Sequence, residues 1–156
     1  MKINYLIDIT KNNVKEMYNP YNLLETNLGD NELRKKHRIL LTGTCIMKRY
    51  PDILKKFMEK FNQPAHIHIC LETYHMDQVG YKLTLMIQYS KIGELTVLTI
   101  DGSPHCLQLH YLAEDQRKFY PDLKINHFVI EKGKIHEIEP KAVKTSRHLH
   151  KVQKLV

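Results

Sequence analysis

Several features that would define a function at once are missing from this sequence of 156 residues. No apolar run approaches the roughly 18 residues that a membrane-spanning helix needs, so we do not expect a membrane protein. The start, MKINYLIDITKNN, lacks an apolar stretch that ends in a small-residue cleavage site, so we expect no secretory signal and a cytoplasmic location. Neither a Walker loop nor a G-x-G-x-x-G fingerprint occurs, which argues against the common nucleotide-binding loops.

Cysteine is scarce, and its spacing disfavours two familiar kinds of site. The three cysteines are Cys45, Cys70 and Cys106, and no C-x-x-C pair occurs, so a thioredoxin-type dithiol and a zinc ribbon are both disfavoured. Three cysteines cannot all pair with one another. In a reducing compartment we expect them to be thiols, metal ligands or redox groups rather than structural bridges.

The charge balance is basic, with 24 Lys and Arg against 17 Asp and Glu, which gives a net charge of +7. This excess permits nucleic-acid binding, but a binding surface needs its basic residues on one face, interleaved with exposed aromatic side chains. The basic residues here are dispersed, and only KAVKTSRHLHKVQKLV, at residues 141–156, is locally dense. We therefore expect the charge to solvate the surface or to meet an anionic partner other than nucleic acid.

What the sequence does contain is an alternation of strand and helix patterns. Three short apolar runs, RILLTGTC, AHIHICLET and ELTVLTID, predict strands, and a segment with helical features follows each of them. The segment INHFVIEKGKIHEIEP predicts two strands joined by a Lys-Gly turn, and residues 141–156 predict a terminal helix. Two helix starts are marked, one by Asp77 as N-cap and one by Ser103 as N-cap followed by Pro104.

This order of elements predicts a single three-layer α/β domain over residues 1–156. The domain is expected to be Rossmann-like or flavodoxin-like, with a mostly parallel sheet, a C-terminal hairpin and the terminal helix. Residues 1–36 form an N-terminal extension whose structure the pattern does not define, although KINYLIDI suits a short strand.

The three cysteines occupy related places in this predicted fold. Cys45 ends the first buried strand, Cys70 lies near the end of the second, and Cys106 follows the third. Open α/β sheets bind ligands outside the carboxyl ends of their parallel strands, so the three thiols are expected to meet there. Cys106 falls in the first turn of a helix, where free N–H groups and the helix dipole favour a thiolate. Soft metals and iron–sulfur clusters require thiolates, and His105 and His68 are the candidates for a further metal ligand.

The stretch AHIHICLET raises a separate question, because every second residue from His66 to Glu72 is polar or a thiol and those between are apolar. Such alternation is typical of a half-exposed edge strand, and equally of a strand that presents ligands on one face. Both interpretations stay open. The small-residue loops after the first and third strands are candidates for holding a phosphate or carboxylate. Their residues are Thr42, Gly43, Thr44, Asp101, Gly102 and Ser103.

Three functions follow from these patterns. The first is a redox-associated domain that binds a metal or iron–sulfur centre through the three cysteines and works with a redox partner protein or as a homo-oligomer. In architecture alone, the layout resembles the flavodoxin-like modules of hydrogenase-type small subunits, which hold an iron–sulfur cluster with cysteines from strand ends; a fourth cysteine is missing here. The second is an enzyme for a small anionic substrate, with Cys106 as nucleophile and His105, His66 or His68 as base. The third is a basic, non-catalytic module that binds nucleic acid or an acidic protein.

Overall fold

The computed structural model describes residues 20–156, and within them one six-stranded sheet forms the centre of the fold. The spatial order of its strands is β1-β3-β2-β4-β5-β6, and every neighbouring pair is parallel except β5 and β6. The strands are β1 (Tyr21–Asn22), β2 (Arg38–Gly43), β3 (Ala65–Ile69), β4 (Glu94–Ile100), β5 (Lys124–Glu131) and β6 (Lys134–Ile138). The predicted α/β class, the mostly parallel sheet and the C-terminal hairpin are confirmed.

Helices connect these strands and cover the sheet. They are α1 (Asn31–Lys36), α2 (Ile46–Arg49), α3 (Pro51–Lys60), α4 (Met76–Tyr89), α5 (Pro104–Gln116), α6 (Pro140–Ser146) and α7 (Leu149–Val152), and a 3-10 turn (Gln153–Leu155) follows the last. None of the helices in residues 20–156 is both long enough and apolar enough to cross a bilayer.

Two separate apolar clusters hold the helices on the two faces of the sheet. Leu41 of β2 packs in the cluster that contains Leu83 of α4 and Leu109 of α5. Leu40, the preceding residue, packs in the other cluster with Phe57 of α3, because successive side chains of a strand point to opposite faces. We call these two sides the α4–α5 face and the α2–α3 face. The result is the predicted three-layer arrangement.

One of the two predicted helix starts is confirmed and the other is wrong. Ser103 is the N-cap of α5, and its Oγ accepts a hydrogen bond of 3.4 Å from the backbone N–H of Cys106. α4 begins at Met76 with His75 as its N-cap, so Asp77 is not the cap. Asp77 lies in the first turn instead, where its carboxylate still interacts favourably with the helix dipole.

The single terminal helix predicted for residues 141–156 is also wrong. α6 ends at Ser146, and α7 begins after a break at Arg147 and His148. Arg147 donates to the carbonyl oxygen of Tyr111 at 3.0 Å, which fixes the end of α6 against α5. Beyond this point α7 buries no side chain, and a helix without tertiary packing has little to sustain its length.

β3 is an internal strand, so the edge-strand interpretation of AHIHICLET is wrong. The two-residue strand β1 pairs with it through Tyr21 and Asn22 and occupies the edge position. His66 is accordingly only 3% exposed. The candidate strand KINYLIDI lies outside the residues that the structure describes.

Candidate functional site

The three cysteines follow three adjacent parallel strands. β2 lies between β3 and β4, so the chain moves from β2 to one side of the sheet and then returns to the other side. Open α/β sheets bind ligands at this kind of reversal, outside the carboxyl ends of the strands. Cys45 lies two residues after β2, Cys70 directly after β3, and Cys106 in the first turn of α5 after β4.

One small cavity of about 90 Å³, which we call the thiol cavity, is lined by all three cysteines. Gly43 forms part of its wall: a Cβ on this residue would stand 3.5 Å from Sγ of Cys106 and 3.8 Å from Sγ of Cys45. The absence of a side chain at Gly43 therefore leaves open the space between these two sulfur atoms. All three thiols are free.

His105 and Glu72 also line the thiol cavity and add an imidazole and a carboxylate to its donor atoms. The backbone connects two of the three loops, because the N–H of Thr44 donates to the carbonyl oxygen of Ile69 at 3.1 Å. The cavity thus combines three thiols, one imidazole and one carboxylate on a backbone anchored to the sheet.

Two of the thiols, Cys106 and Cys70, affect the pKa of the third, Cys45. Burial raises the pKa of Cys45 above its usual range, and the negative charges of Cys106 and, to a lesser degree, Cys70 raise it further. A cation in the cavity would reverse this repulsion, because it would favour the thiolate at each position.

The donor atoms surround the cavity but do not converge on one point. Within residues 20–156, no group of three or more His, Cys, Asp or Glu side chains is arranged to hold a metal ion. A cysteine side chain reorients by rotation about a single bond, χ1, between staggered positions. Metal coordination at the thiol cavity would therefore require a change of cysteine rotamers.

The two histidines of β3 lie apart from the thiol cavity. Ile67 and Ile69 pack on the α4–α5 face, so His66 and His68, which alternate with them, point to the α2–α3 face. Of the five residues predicted as metal ligands, four line the cavity and His68 does not. The chain turns at Cys70, whose carbonyl oxygen accepts two backbone hydrogen bonds, and this turn takes Cys70 out of the alternation.

Both of these histidines are hydrogen-bonded to threonines. Thr42 Oγ1 lies 2.7 Å from Nε2 of His66, and Thr44 Oγ1 lies 3.0 Å from Nδ1 of His68. Burial lowers the pKa of His66 to about 3 and lowers that of His68 as well. Thr42 is fully buried. Of the six predicted loop residues, Gly43, Thr44 and Ser103 line the thiol cavity.

A buried polar chain that the sequence reasoning missed lies on the α4–α5 face. Thr99 Oγ1 is 2.9 Å from Nε2 of His110, whose Nδ1 is 3.0 Å from Nδ1 of His127. Nε2 of His127 is 2.8 Å from Oε1 of Glu114, and Nε of Arg117 donates to both carboxylate oxygens of Glu114 at 3.1 Å. We call Thr99, His110, His127 and Glu114 the histidine chain.

Burial determines the charge of this chain. It lowers the pKa of His110 to about 3, with a smaller contribution from His127. Burial also lowers the pKa of His127, although the hydrogen bond and the charge of Glu114 oppose this shift. Both imidazoles are therefore neutral at physiological pH. The signal in the sequence was the i,i+4 spacing of His110 and Glu114, which places both on one side of α5.

A larger cavity, of about 410 Å³, is lined mainly by residues of α2 and α3. Its lining includes Met47, Leu54 and Met58 and contains neither cysteine nor histidine. We therefore locate the candidate functional site at the thiol cavity and not in this larger space.

Comparison with known proteins gives a family and no close relative. No curated protein and no solved structure matches the chain. The model of a family described as Rossmann-like domain matches residues 32–155. The matched region includes all three cysteines and the whole histidine chain. The chain therefore belongs to the Rossmann-like domain family.

Proposed function

We propose that the thiol cavity binds a soft metal ion or an iron–sulfur centre through Cys45, Cys70 and Cys106, and that the domain takes part in redox chemistry. The observation that carries this proposal is the meeting of three thiols, from three neighbouring strand ends, around one cavity at the reversal of the sheet. Thiolate sulfur is the donor that zinc, copper(I) and iron–sulfur clusters prefer in proteins.

His105 is the first candidate for a fourth ligand. It lines the same cavity and lies next to Cys106 in the first turn of α5. Three sulfurs and one nitrogen would complete the four-coordinate environment typical of a structural zinc site. A cluster held by three cysteines would instead leave one iron for His105, for water or for a substrate.

The electrostatics of the cavity support a cation as its ligand. The pKa of Cys45 is raised first by burial and then by the neighbouring thiolates, so the protonated thiol is favoured when no cation is bound. A metal ion displaces that proton, since only the deprotonated thiolate binds it. Metal binding should therefore release protons and become tighter as the pH rises.

A redox function sets two conditions on the surroundings of the protein. The thiols must stay reduced when no metal is bound, which agrees with a reducing compartment such as the cytoplasm. Electrons must also be exchanged with another molecule, so we include a redox partner protein or a second copy of the chain in the proposal.

The experiment is an anaerobic titration of the metal-free protein with Co²⁺, a coloured substitute for Zn²⁺. We expect one ion per chain, with the near-ultraviolet charge-transfer absorption of cobalt bound to thiolates. Cys106→Ser should lose this absorption. His68→Gln should keep it, because His68 lies on the α2–α3 face and is bound to Thr44. A cobalt spectrum without thiolate absorption in the unmodified protein would contradict the proposal.

A second candidate function rests on the position of Cys106 at the start of α5. The helix dipole and the cap at Ser103 suit a reactive thiolate beside an anion, as in a Cys/His enzyme for a small anionic substrate. Iodoacetate and iodoacetamide test this candidate, because they differ mainly in charge. If an anion site lies beside Cys106, the ratio of the iodoacetate rate to the iodoacetamide rate should be higher at Cys106 of the metal-free protein than it is for free cysteine. The absence of such a preference would remove this candidate.

A further inference from the structure

The histidine chain ends at a third cavity, of about 320 Å³, near the carboxyl ends of β4 and β5. It shares Ser103 with the thiol cavity, but its other lining residues from α5 are different: Pro104, Leu107 and His110 here, and His105, Cys106 and Leu109 there. The volume is at the lower end of the range for small-molecule sites, about 300–1,000 Å³. We call it the threonine cavity, after Thr99, which lines it together with His110.

The walls of the threonine cavity are mostly apolar, and its polar groups are few. Pro104, Leu107 and Val129 contribute apolar side chains. Thr99 and His110 are 1% and 2% exposed, whereas Asp101 is exposed to solvent at the chain's turn after β4. An apolar cavity with a small number of buried polar groups is the usual composition of a site for a small organic molecule.

The direction of every hydrogen bond in the histidine chain follows from its charged end. Arg117 donates to both oxygens of Glu114, and the carboxylate in turn accepts a hydrogen bond from Nε2–H of His127. A neutral imidazole has one donor and one acceptor, so Nδ1 of His127 accepts from Nδ1–H of His110. Nε2 of His110 is then an acceptor, and the hydroxyl of Thr99 must donate to it.

These hydrogen-bond directions determine whether the hydroxyl of Thr99 acts as a donor or as an acceptor toward a ligand. Its only hydroxyl proton is used by His110, so its oxygen has lone pairs alone left for the threonine cavity. A free hydroxyl would rotate and serve as donor or acceptor. The histidine chain removes that freedom and makes Thr99 an acceptor.

We infer that the threonine cavity is a binding site for a small, neutral and mostly apolar molecule that carries a hydroxyl or amide N–H group, and that this group donates to Oγ1 of Thr99. A charged ligand is disfavoured at Thr99 because the one charged side chain of the lining, Asp101, is exposed at the turn after β4, and His110 and His127 are neutral. A ligand without a donor would form no hydrogen bond with the remaining lone pairs of Thr99 and would therefore bind less tightly. The inference does not depend on metal binding at the thiol cavity.

The test compares phenol with anisole, in which a methyl group replaces the hydroxyl proton and the ring is unchanged. Each is titrated into ¹⁵N-labelled full-length protein and followed by NMR chemical shifts. We expect phenol to perturb residues around Ile100–Leu107 and Val129 and to bind about tenfold more tightly than anisole, the effect of one lost hydrogen bond.

Three variants assign this preference to Thr99. Thr99→Val keeps the shape of the side chain and should reduce phenol affinity about tenfold, to the level of anisole. Thr99→Ser restores the hydroxyl and should restore the preference. Thr96→Val is the matched control on the same strand, because Thr96 lies three residues away, on the opposite face of the sheet, and lines a different cavity. It should leave phenol binding unchanged.

The same samples show which ring nitrogen carries the proton in each of the two histidines. Imidazole ¹⁵N shifts should identify His110 as protonated on Nδ1 and His127 as protonated on Nε2. The inference is overturned if phenol causes no shifts at millimolar concentration, if anisole binds as tightly as phenol, if Thr99→Val retains the preference, or if the two tautomers are reversed.

Discussion

Cys45 is the most exposed of the three cysteines, and its pKa is nevertheless raised. The first cause is partial burial of the thiol group, and the second is the charge of the neighbouring thiols. Exposure and reactivity are thus separate properties at this site, since the nucleophile is the thiolate and not the thiol.

Cys106→Ser should lower the pKa of Cys45, because of the two neighbouring thiols Cys106 contributes more to raising that pKa. The rate of alkylation of Cys45 against pH, followed by mass spectrometry of its peptide, measures this shift. Cys70→Ser is the matched control and should have a smaller effect, since Cys70 contributes less to the pKa of Cys45. An unchanged pH profile in Cys106→Ser would show that the two sulfurs do not interact.

In the unmodified, metal-free protein at neutral pH, Cys106 should be alkylated several-fold faster than Cys45. The reason is that burial and the charges of the neighbouring thiols disfavour the thiolate at Cys45, whereas Cys106 lies in the first turn of α5, at the positive end of the helix dipole. Brief treatment with iodoacetamide and peptide mapping give both rates in one sample. If accessibility alone decided reactivity, Cys45 would react first.

At the scale of elements, α5 is central, because its first turns line both the thiol cavity and the threonine cavity. Ser103 lines both cavities and caps the helix. Its side chain satisfies one of the backbone N–H groups that would otherwise lack a partner at the helix start. The geometry of both sites therefore depends on this single cap.

Ser103→Ala should reduce the free energy of unfolding by about 1 kcal/mol, the usual cost of losing an N-cap. Ser103→Asp is the matched control and should retain most of the stability, since aspartate also caps helices well. Urea unfolding of the three proteins measures the difference. Equal stability of the alanine variant and the unmodified protein would mean that the 3.4 Å contact with Cys106 contributes nothing.

Much of the element order could be predicted, because strand and helix patterns are local. The apolar runs of β2 and β4 and the Ser103-Pro104 start of α5 are read from a few adjacent residues. The prediction of β3 as a possible edge strand failed because the strand that covers it, β1, has only two residues and no pattern of its own. The break in the terminal helix depends on the contact of Arg147 with Tyr111, which is 36 residues away in sequence.

The candidate site was predictable to a similar extent. That cysteines at successive strand ends lie near one another follows from a parallel sheet, and this is how Cys45, Cys70 and Cys106 were chosen. The histidine chain was missed because His127 reaches His110 only through the alignment of β5 beside β4 and the packing of α5 on both. Neither the register nor the packing is a local property of the sequence.

At the scale of the whole molecule, neutral histidines are buried on both faces of the sheet. His66 lies on the α2–α3 face, and His110 and His127 lie on the α4–α5 face. Unfolding exposes their rings to water, where a histidine has its ordinary pKa of about 6.5. The stability of the fold is therefore coupled to pH through both layers of the core.

Acid should destabilise the protein below about pH 6.5, before most carboxylates titrate. The folded-state pKa values of His66 and His110 are about 3, below the ordinary value of 6.5, so the unfolded state binds more protons between these values. Their contribution is complete above pH 6.5 and is lost as the pH falls toward 3. Each should lower the free energy of unfolding by about 1.4 kcal/mol per pH unit in this window.

Urea unfolding at pH 7, 6 and 5 measures this dependence. His66→Gln should reduce the slope by the share of one histidine, whereas His148→Gln should leave it unchanged, since His148 is exposed. A free energy of unfolding that does not change between pH 7 and 5 would show that the buried histidines are not neutral in the folded state.

The most direct test of a metal or iron–sulfur centre at the thiol cavity is the metal, iron and inorganic sulfide content of protein purified without oxygen. The unmodified protein should contain either about one soft metal ion per chain or iron with matching sulfide, and Cys45→Ser, Cys70→Ser and Cys106→Ser should each lose most of it. Serine keeps nearly the same shape but removes the soft sulfur donor, so the three variants should behave alike. Unmodified protein without bound metal, or loss of metal in only one of the three variants, would contradict a shared centre.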